Sequence, residues 1–128
     1  MPPSSSPQIL VVEDNDFVRM QTAKYLEEAG FAVKEVGLAQ EALETISPKT
    51  DLVVLDVRME PMDGFEFIRK IRSLGMETPV ILMTGDQNPD MLSEAAKWGI
   101  RAVLMKPVQK DRLIRAVTKT LAIKDRLD

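Results

Sequence analysis

The stretch DLVVLDVRMEPMDG, residues 51–64, decides the fold. Its apolar run, Leu52 to Leu55, ends abruptly at the carboxylate Asp56, and a loop containing Pro61 and Gly64 follows. A short apolar run bounded by turn signals suits a strand buried on both faces of a parallel sheet. Asp56 then sits where that strand leaves the core, and in open α/β sheets the carboxyl ends of the strands are where ligands bind.

Working outward, three further runs share this form and a fourth alternates. Upstream, Gln8 to Val12 ends in Glu13 and Asp14, and Phe31 to Val36 alternates as a less buried strand. Downstream, Pro79 to Met83 finishes at Thr84, and Ile100 to Met105 finishes at Lys106-Pro107. Helical spacing fills the gaps. Asn15 or Asp16 caps a helix carrying Val18, Thr22, Tyr25, Leu26 and Ala29, which Gly30 stops. Ala39, Ala42, Leu43 and Ile46 mark a second helix over about 38–46, and Phe67, Ile68, Ile71 and Leu74 a third over 65–74. Asp90 to Trp98, closed by Gly99, is the fourth. The fifth, about 110–122, turns Leu113, Ile114, Val117 and Leu121 inward. Five strands alternating with five helices predict a (βα)5 chain, a doubly wound flavodoxin-like parallel sheet of order 2-1-3-4-5. The expected domain spans 8–123, between tails at 1–7 and 124–128.

Composition narrows the chemistry. At 128 residues the chain is one domain with room for a core. It has no Cys and no His, so disulfides, thiolate or imidazole metal sites and Cys or Ser-His nucleophiles are excluded. A net charge of -3 gives no basic field, so direct nucleic-acid binding is not expected. The N-terminal MPPSSSPQ reads as a solvated tail rather than a signal peptide. No apolar run approaches a membrane span, so the expected location is the cytoplasm.

The predicted strand order brings Glu13, Asp14, Asp56, Thr84 and Lys106 to one sheet edge. Taken singly, an acid after a strand is usually a helix cap, and a lysine is usually solvated. Their coincidence at one edge argues for function. Three carboxylates in one cleft are costly, since a pair about 4 Å apart repels by about 4 kcal/mol at an effective dielectric of 20. A hard divalent cation relieves this, and Mg²⁺ favours one or two carboxylates plus water and phosphate oxygens.

With these motifs assembled, the chain resembles the receiver domain of two-component response regulators from about Gln8 to Leu121. VVEDN at 11–15 resembles the acidic pair after the first strand, and LDVRMEPMDG at 55–64 the phosphoacceptor strand and loop. ILMTGD at 81–86 and LMKPV at 104–108 complete the set. The resemblance implies that Asp56 accepts a phosphoryl group from a histidine kinase or phosphotransfer protein. It further implies that Glu13, Asp14, Asp56 and the backbone carbonyl of Arg58 bind Mg²⁺, for which Mn²⁺ could substitute. Lys106 would pair with one phosphoryl oxygen and Thr84 with another, beside a cis Lys106-Pro107 bond. The domain would then be a switch rather than an enzyme, limited to self-phosphorylation and autodephosphorylation. Its output surface would be that of strand 4, helix 4, strand 5 and helix 5, which controls an effector or output domain and admits a homodimer.

Several positions depart from the usual pattern. Receivers usually carry Tyr or Phe three residues before the strand-five lysine, and here that residue is Val103, expected simply to pack the core. Glu60 stands where Pro is usual, with Pro61 next. Arg58 and Asp86 occupy positions that tune dephosphorylation in the family, and they are expected to pair across the pocket mouth. Trp98 is expected to pack in the core, or to lie near the output surface if exposed, and the basic face of the fifth helix (Lys110, Arg112, Arg115, Lys119) belongs to that same surface, where a charge run is usually only a solvated face.

Rival readings are a Mg²⁺-dependent small-molecule phosphatase or phosphotransferase with an Asp nucleophile, an FMN-binding flavodoxin, or a degenerate receiver acting unphosphorylated. The phosphatase reading wants an acid two residues after the nucleophile, where Arg58 stands. An FMN site wants a Ser/Thr/Gly-rich loop after the first strand, where EDNDF is acidic. All five site residues are present, against the degenerate reading. No output domain follows the fifth helix, which fits either a stand-alone receiver or one cut from a larger chain.

Overall fold

The computed structural model describes residues 6–86 and 88–127, with 123–127 described by backbone only. Most of the expected tail at 1–7, and residue 128, lie outside the described residues. The order is β1 (Gln8–Val12), α1 (Asp16–Glu28), β2 (Ala32–Val36), α2 (Ala39–Thr45), β3 (Leu52–Asp56), α3 (Gly64–Ser73), β4 (Val80–Thr84), α4 (Pro89–Lys97), β5 (Ala102–Met105) and α5 (Lys110–Leu127). The five strands form one parallel sheet, β2-β1-β3-β4-β5, as predicted. Helix α5 continues to Leu127, past the end of its apolar stripe.

Strand alternation divides the core in two. Leu10, Val12, Val53, Leu55, Val80 and Leu82 point to the face that packs with α2, α3 and α4, against Ala42, Phe67, Ile68, Ile71 and Ala95. Ile9, Val11, Leu52, Val54, Ile81 and Met83 point to the other face, against Leu26 of α1 and Leu113 and Val117 of α5. Burying each of the larger side chains stabilises by about 1.5–3 kcal/mol before entropy is counted. Both faces are covered, which is why these strands are apolar throughout.

Helix ends follow from local chemistry. Asn15, Asp63 and Asn88 cap α1, α3 and α4 by accepting from the N–H of Val18, Glu66 and Met91. Gly30, Gly75 and Gly99 have φ of 98°, 82° and 71°, which L side chains rarely adopt. The following N–H of Phe31, Met76 and Ile100 returns to Leu26, Ile71 and Ala95 O, closing three Schellman turns.

Candidate functional site

The alternation that builds the core also aims the polar groups. Ile9 and Val11 face α1 and α5, so Glu13, the next residue of that parity, leaves β1 on the same side. Leu52 and Val54 do the same for Asp56, and Ala102 and Leu104 for Lys106. Backbone pairing runs one residue past the strands: Glu13 N–H donates to Val36 O, and Lys106 N–H to Thr84 O. With Val12 opposite Leu55, Glu13 and Asp56 emerge side by side.

Lys106 Nζ lies 2.6 Å from Glu13 Oε1 and 3.2 Å from Asp56 Oδ1. Both carboxylate residues are buried, at 0% and 4% exposure, while Asp14 is exposed. The second Glu13 oxygen accepts from Asn15 N–H at 3.0 Å, and Asp56 Oδ1 from Arg58 N–H at 3.4 Å. Burial pushes the Glu13 carboxyl above its ordinary value, and its bonds to Lys106 and Asn15 offset that only in part. Burial alone would lower the Lys106 ammonium, but the bond to Glu13 and the Asp56 charge prevail and raise it. The amine is therefore held charged between two acids.

Carboxylate oxygens of Glu13, Asp14 and Asp56 all lie within 4.8 Å of one another. An octahedral Mg²⁺ with ligands at about 2.1 Å spans about 4.2 Å between opposite oxygens, so small side-chain shifts would close the set around it. All the donors are hard oxygens, and they fit such an ion.

Thr84 is on the opposite parity, with Val80 and Leu82, and is 1% exposed. Its hydroxyl donates to Asp86 O at 2.8 Å and accepts from Asp86 N–H at 3.1 Å. Among the described residues no hydrogen bond joins it to the carboxylates. Arg58 Nη2 meets Asp86 Oδ2 at 3.3 Å, so the expected pair across the mouth is present, with the two side chains 73% and 60% exposed. Val103 is half-buried and packs against the α2/α3/α4 core, as expected. Lys106-Pro107 is cis, and so is Glu60-Pro61, for which nothing in the sequence was a signal.

One surface assignment changes, while Trp98 packs against the core as expected. Lys110 leaves the basic face of α5: it pairs with Glu28 of α1 at 3.0 Å and lies 6.0 Å over the Tyr25 ring. Arg112, Arg115 and Lys119 instead border an open groove with Arg101 of about 580 Å³ beside β5. Trp98 is half-buried against the core, with Lys97 Nζ 5.7 Å from its ring. Arg19 escaped the sequence reading. Its Nη1 donates to the backbone carbonyl of Glu13 at 2.8 Å, and only its i, i+3 spacing to Asp16 was visible in advance.

Residues 9–118 match the model of the response regulator receiver domain family. The chain is 31% identical to the chemotaxis protein CheY of Bacillus subtilis over 116 residues, covering 89% of this chain and 97% of that protein. It is 33% identical to the C4-dicarboxylate transport transcriptional regulatory protein DctD of Rhizobium meliloti, covering 91% of this chain but only 25% of that regulator. Among solved structures, a CheY-like receiver domain protein from Methanospirillum hungatei superposes with a TM-score of 0.90 at 26% identity. That match covers 97% of this chain and all of the other. No helix among the described residues is long and apolar enough to cross a membrane.

Proposed function

Because the chain belongs to the response regulator receiver domain family of two-component signalling, we propose that Asp56 accepts a phosphoryl group from the phosphohistidine of a histidine kinase or phosphotransfer protein. The observation that carries this is the convergence of Asp56 and Glu13 on Lys106 at adjacent strand ends. Receiver domains are regulatory, and the chemistry assigned here is confined to gaining and losing that one group.

An Asp56 carboxylate oxygen attacks phosphorus as the bond to the leaving group breaks, forming an acyl phosphate. Phosphoryl transfer needs little beyond alignment and charge stabilisation. Lys106, already charged and anchored by Glu13, can follow a phosphoryl oxygen by giving up its longer contact to Asp56. Glu13, Asp14, Asp56 and the Arg58 backbone carbonyl are the groups that would hold Mg²⁺, which Mn²⁺ could replace. When bound, the cation neutralises the acids and the incoming phosphoryl oxygens. Thr84 would exchange its bond to Asp86 O for one to a phosphoryl oxygen, drawing the β4–α4 loop inward and altering the α4-β5-α5 surface for an effector, an output domain or a second copy. Val103 has no ring to swing, so this movement rather than an aromatic rotation is the proposed route. The Arg58–Asp86 pair closes the mouth and slows hydrolysis of the acyl phosphate.

The test is incubation with Mg²⁺ and acetyl phosphate, followed by intact mass. A gain of one phosphoryl group that is labile at alkaline pH and absent from Asp56→Asn is expected. Phosphate gain that persists in Asp56→Asn, or none in the native protein, would overturn the proposal.

A further inference from the structure

Glu13 leaves β1 with two backbone groups to satisfy. Its N–H donates to Val36 O at 3.1 Å, the last rung shared with β2. Beyond that rung the neighbouring chain turns away at Gly37, and the Glu13 carbonyl is taken by Arg19 Nη1 at 2.8 Å. The same guanidinium donates through Nη2 to Asp16 at 2.7 Å and faces Glu35 Oε1 at 3.5 Å from Nε. One side chain, 18% exposed, thus joins the β1–α1 turn, the start of α1 and the end of β2. Gly37 gives it room, since a Cβ there would stand 3.2 Å from Nη1.

The carbonyl that Arg19 holds belongs to the peptide between Glu13 and Asp14. Rotating that peptide would re-aim both carboxylates. We infer that Arg19 is a positioning residue that fixes the Glu13–Asp14 peptide so that both carboxylates face the divalent cation of the proposed phosphoryl site. The inference rests on the function proposed above. Asp16 and Glu35 are too exposed for their ion pairs to count for much, so the part-buried carbonyl bond is the contact that matters. Groups that orient metal ligands from behind typically change affinity about 10- to 100-fold when lost.

The experiment is Mg²⁺ titration of ¹⁵N-labelled protein, read from amide shifts near Glu13 and Asp56, with urea unfolding in parallel. Arg19→Met is expected to weaken Mg²⁺ about tenfold while the protein remains folded, and Arg19→Lys to recover part of that loss. Gly37→Ala, which crowds Nη1 and has no left-handed φ to disturb, should weaken binding in the same direction. Adding Arg19→Met to Gly37→Ala should then weaken it little further. A stability loss common to all variants would not produce that non-additive pattern. Arg19→Met binding Mg²⁺ within twofold of the native protein would overturn the inference. If Arg19→Met does not fold, unchanged affinity in Gly37→Ala overturns it instead. A native protein that binds no Mg²⁺ and gains no phosphate on Asp56 would instead overturn the underlying functional reading, and this inference with it. Normal Asp56 phosphorylation with unaltered Mg²⁺ affinity in the variants would overturn the role of Arg19 alone.

Discussion

Replacing Lys106 by Met removes a cation that Glu13 and Asp56 share, and the consequence can be bounded in two independent ways. With their oxygens within 4.8 Å, the two ionised carboxylates repel by at least about 3.5 kcal/mol at an effective dielectric of 20. The protein can escape by protonating Glu13, which from an ordinary pKa of 4.5 costs about 3.4 kcal/mol at pH 7, at about 1.36 kcal/mol per pH unit. The bounds agree, so a destabilisation of about 3 kcal/mol is expected at pH 7. That lies at the low end of the range for breaking a buried pair, as suits a lysine side chain 24% exposed.

The pH dependence has a definite sign. Burial raises the folded-state pKa of Glu13, so its contribution is most favourable below the unfolded value of 4.5 and is lost as pH climbs through the raised one. Without Lys106 that loss is larger. At pH 5 protonating Glu13 costs only about 0.7 kcal/mol, so the deficit of the variant should shrink to about 1 kcal/mol. Urea unfolding of both proteins at pH 7 and pH 5 measures this directly. Added Mg²⁺ should narrow the gap at pH 7, since it supplies the missing positive charge. A deficit below 1 kcal/mol at pH 7, or one that does not fall at pH 5, would refute the account of Lys106 as the charge that makes this site tolerable.

Three further outcomes are expected. Gly64→Ala would set a Cβ 2.8 Å from the Asp56 carbonyl oxygen and 3.1 Å from Val57 Cα, both backbone. It should destabilise by about 1–3 kcal/mol and slow Asp56 phosphorylation by displacing the end of β3, as unfolding and mass-shift time courses would report. Arg58→Ala and Asp86→Ala break only an exposed pair and should leave stability within about 0.5 kcal/mol, while shortening the half-life of the acyl phosphate. An unchanged dephosphorylation rate in both would remove that pair from the mechanism. Phe67→Ala, at a fully buried position of α3, should cost about 3–5 kcal/mol in urea unfolding without altering the site's residues.

The fold was legible because every strand but β2 is an apolar run stopped by a charged or polar residue, and because α1, α3 and α4 each have a side-chain cap and a terminal glycine. Even the sheet order followed, since parallel strands joined by helices leave few arrangements. The site was legible for a related reason: a polar residue that stops an apolar strand marks where the chain leaves the core, even though Glu13, Asp56 and Thr84 are themselves buried. What stayed hidden depended on which face of an element a residue occupies. Lys110 reads as one of the four residues of the basic face of α5, yet its position on the helix turns it to Glu28 and Tyr25 of α1. Arg19 reads as an ordinary helix arginine, because nothing local reveals that the Glu13 carbonyl lacks a strand partner. Thr84 ends β4 at the expected sheet edge, but that its hydroxyl is bound to its own loop could not be read from spacing. Such facts are settled by tertiary neighbours rather than by spacing.

Charge arithmetic links that Thr84 geometry to the proposed switch. Three carboxylates carry about -3 and Lys106 about +1, so the site without a cation is short of two positive charges. A divalent ion makes the sum about zero, which is a stable resting balance. Converting Asp56 to its acyl phosphate replaces one negative charge by about 1.5–2, leaving the site negative again and adding acceptor oxygens. Among the described residues only Lys106 pairs with these acids, so a neutral donor is the response that the described site offers. Thr84 is the buried donor at the neighbouring strand end, and its hydroxyl now donates to the Asp86 carbonyl, a bond whose net value is about 1 kcal/mol. Breaking so small a bond for one to a charged oxygen is favourable, and Asp86, tied to both Thr84 and Arg58, must move with it. The β4–α4 loop is therefore the element whose two positions the charge on Asp56 would bias.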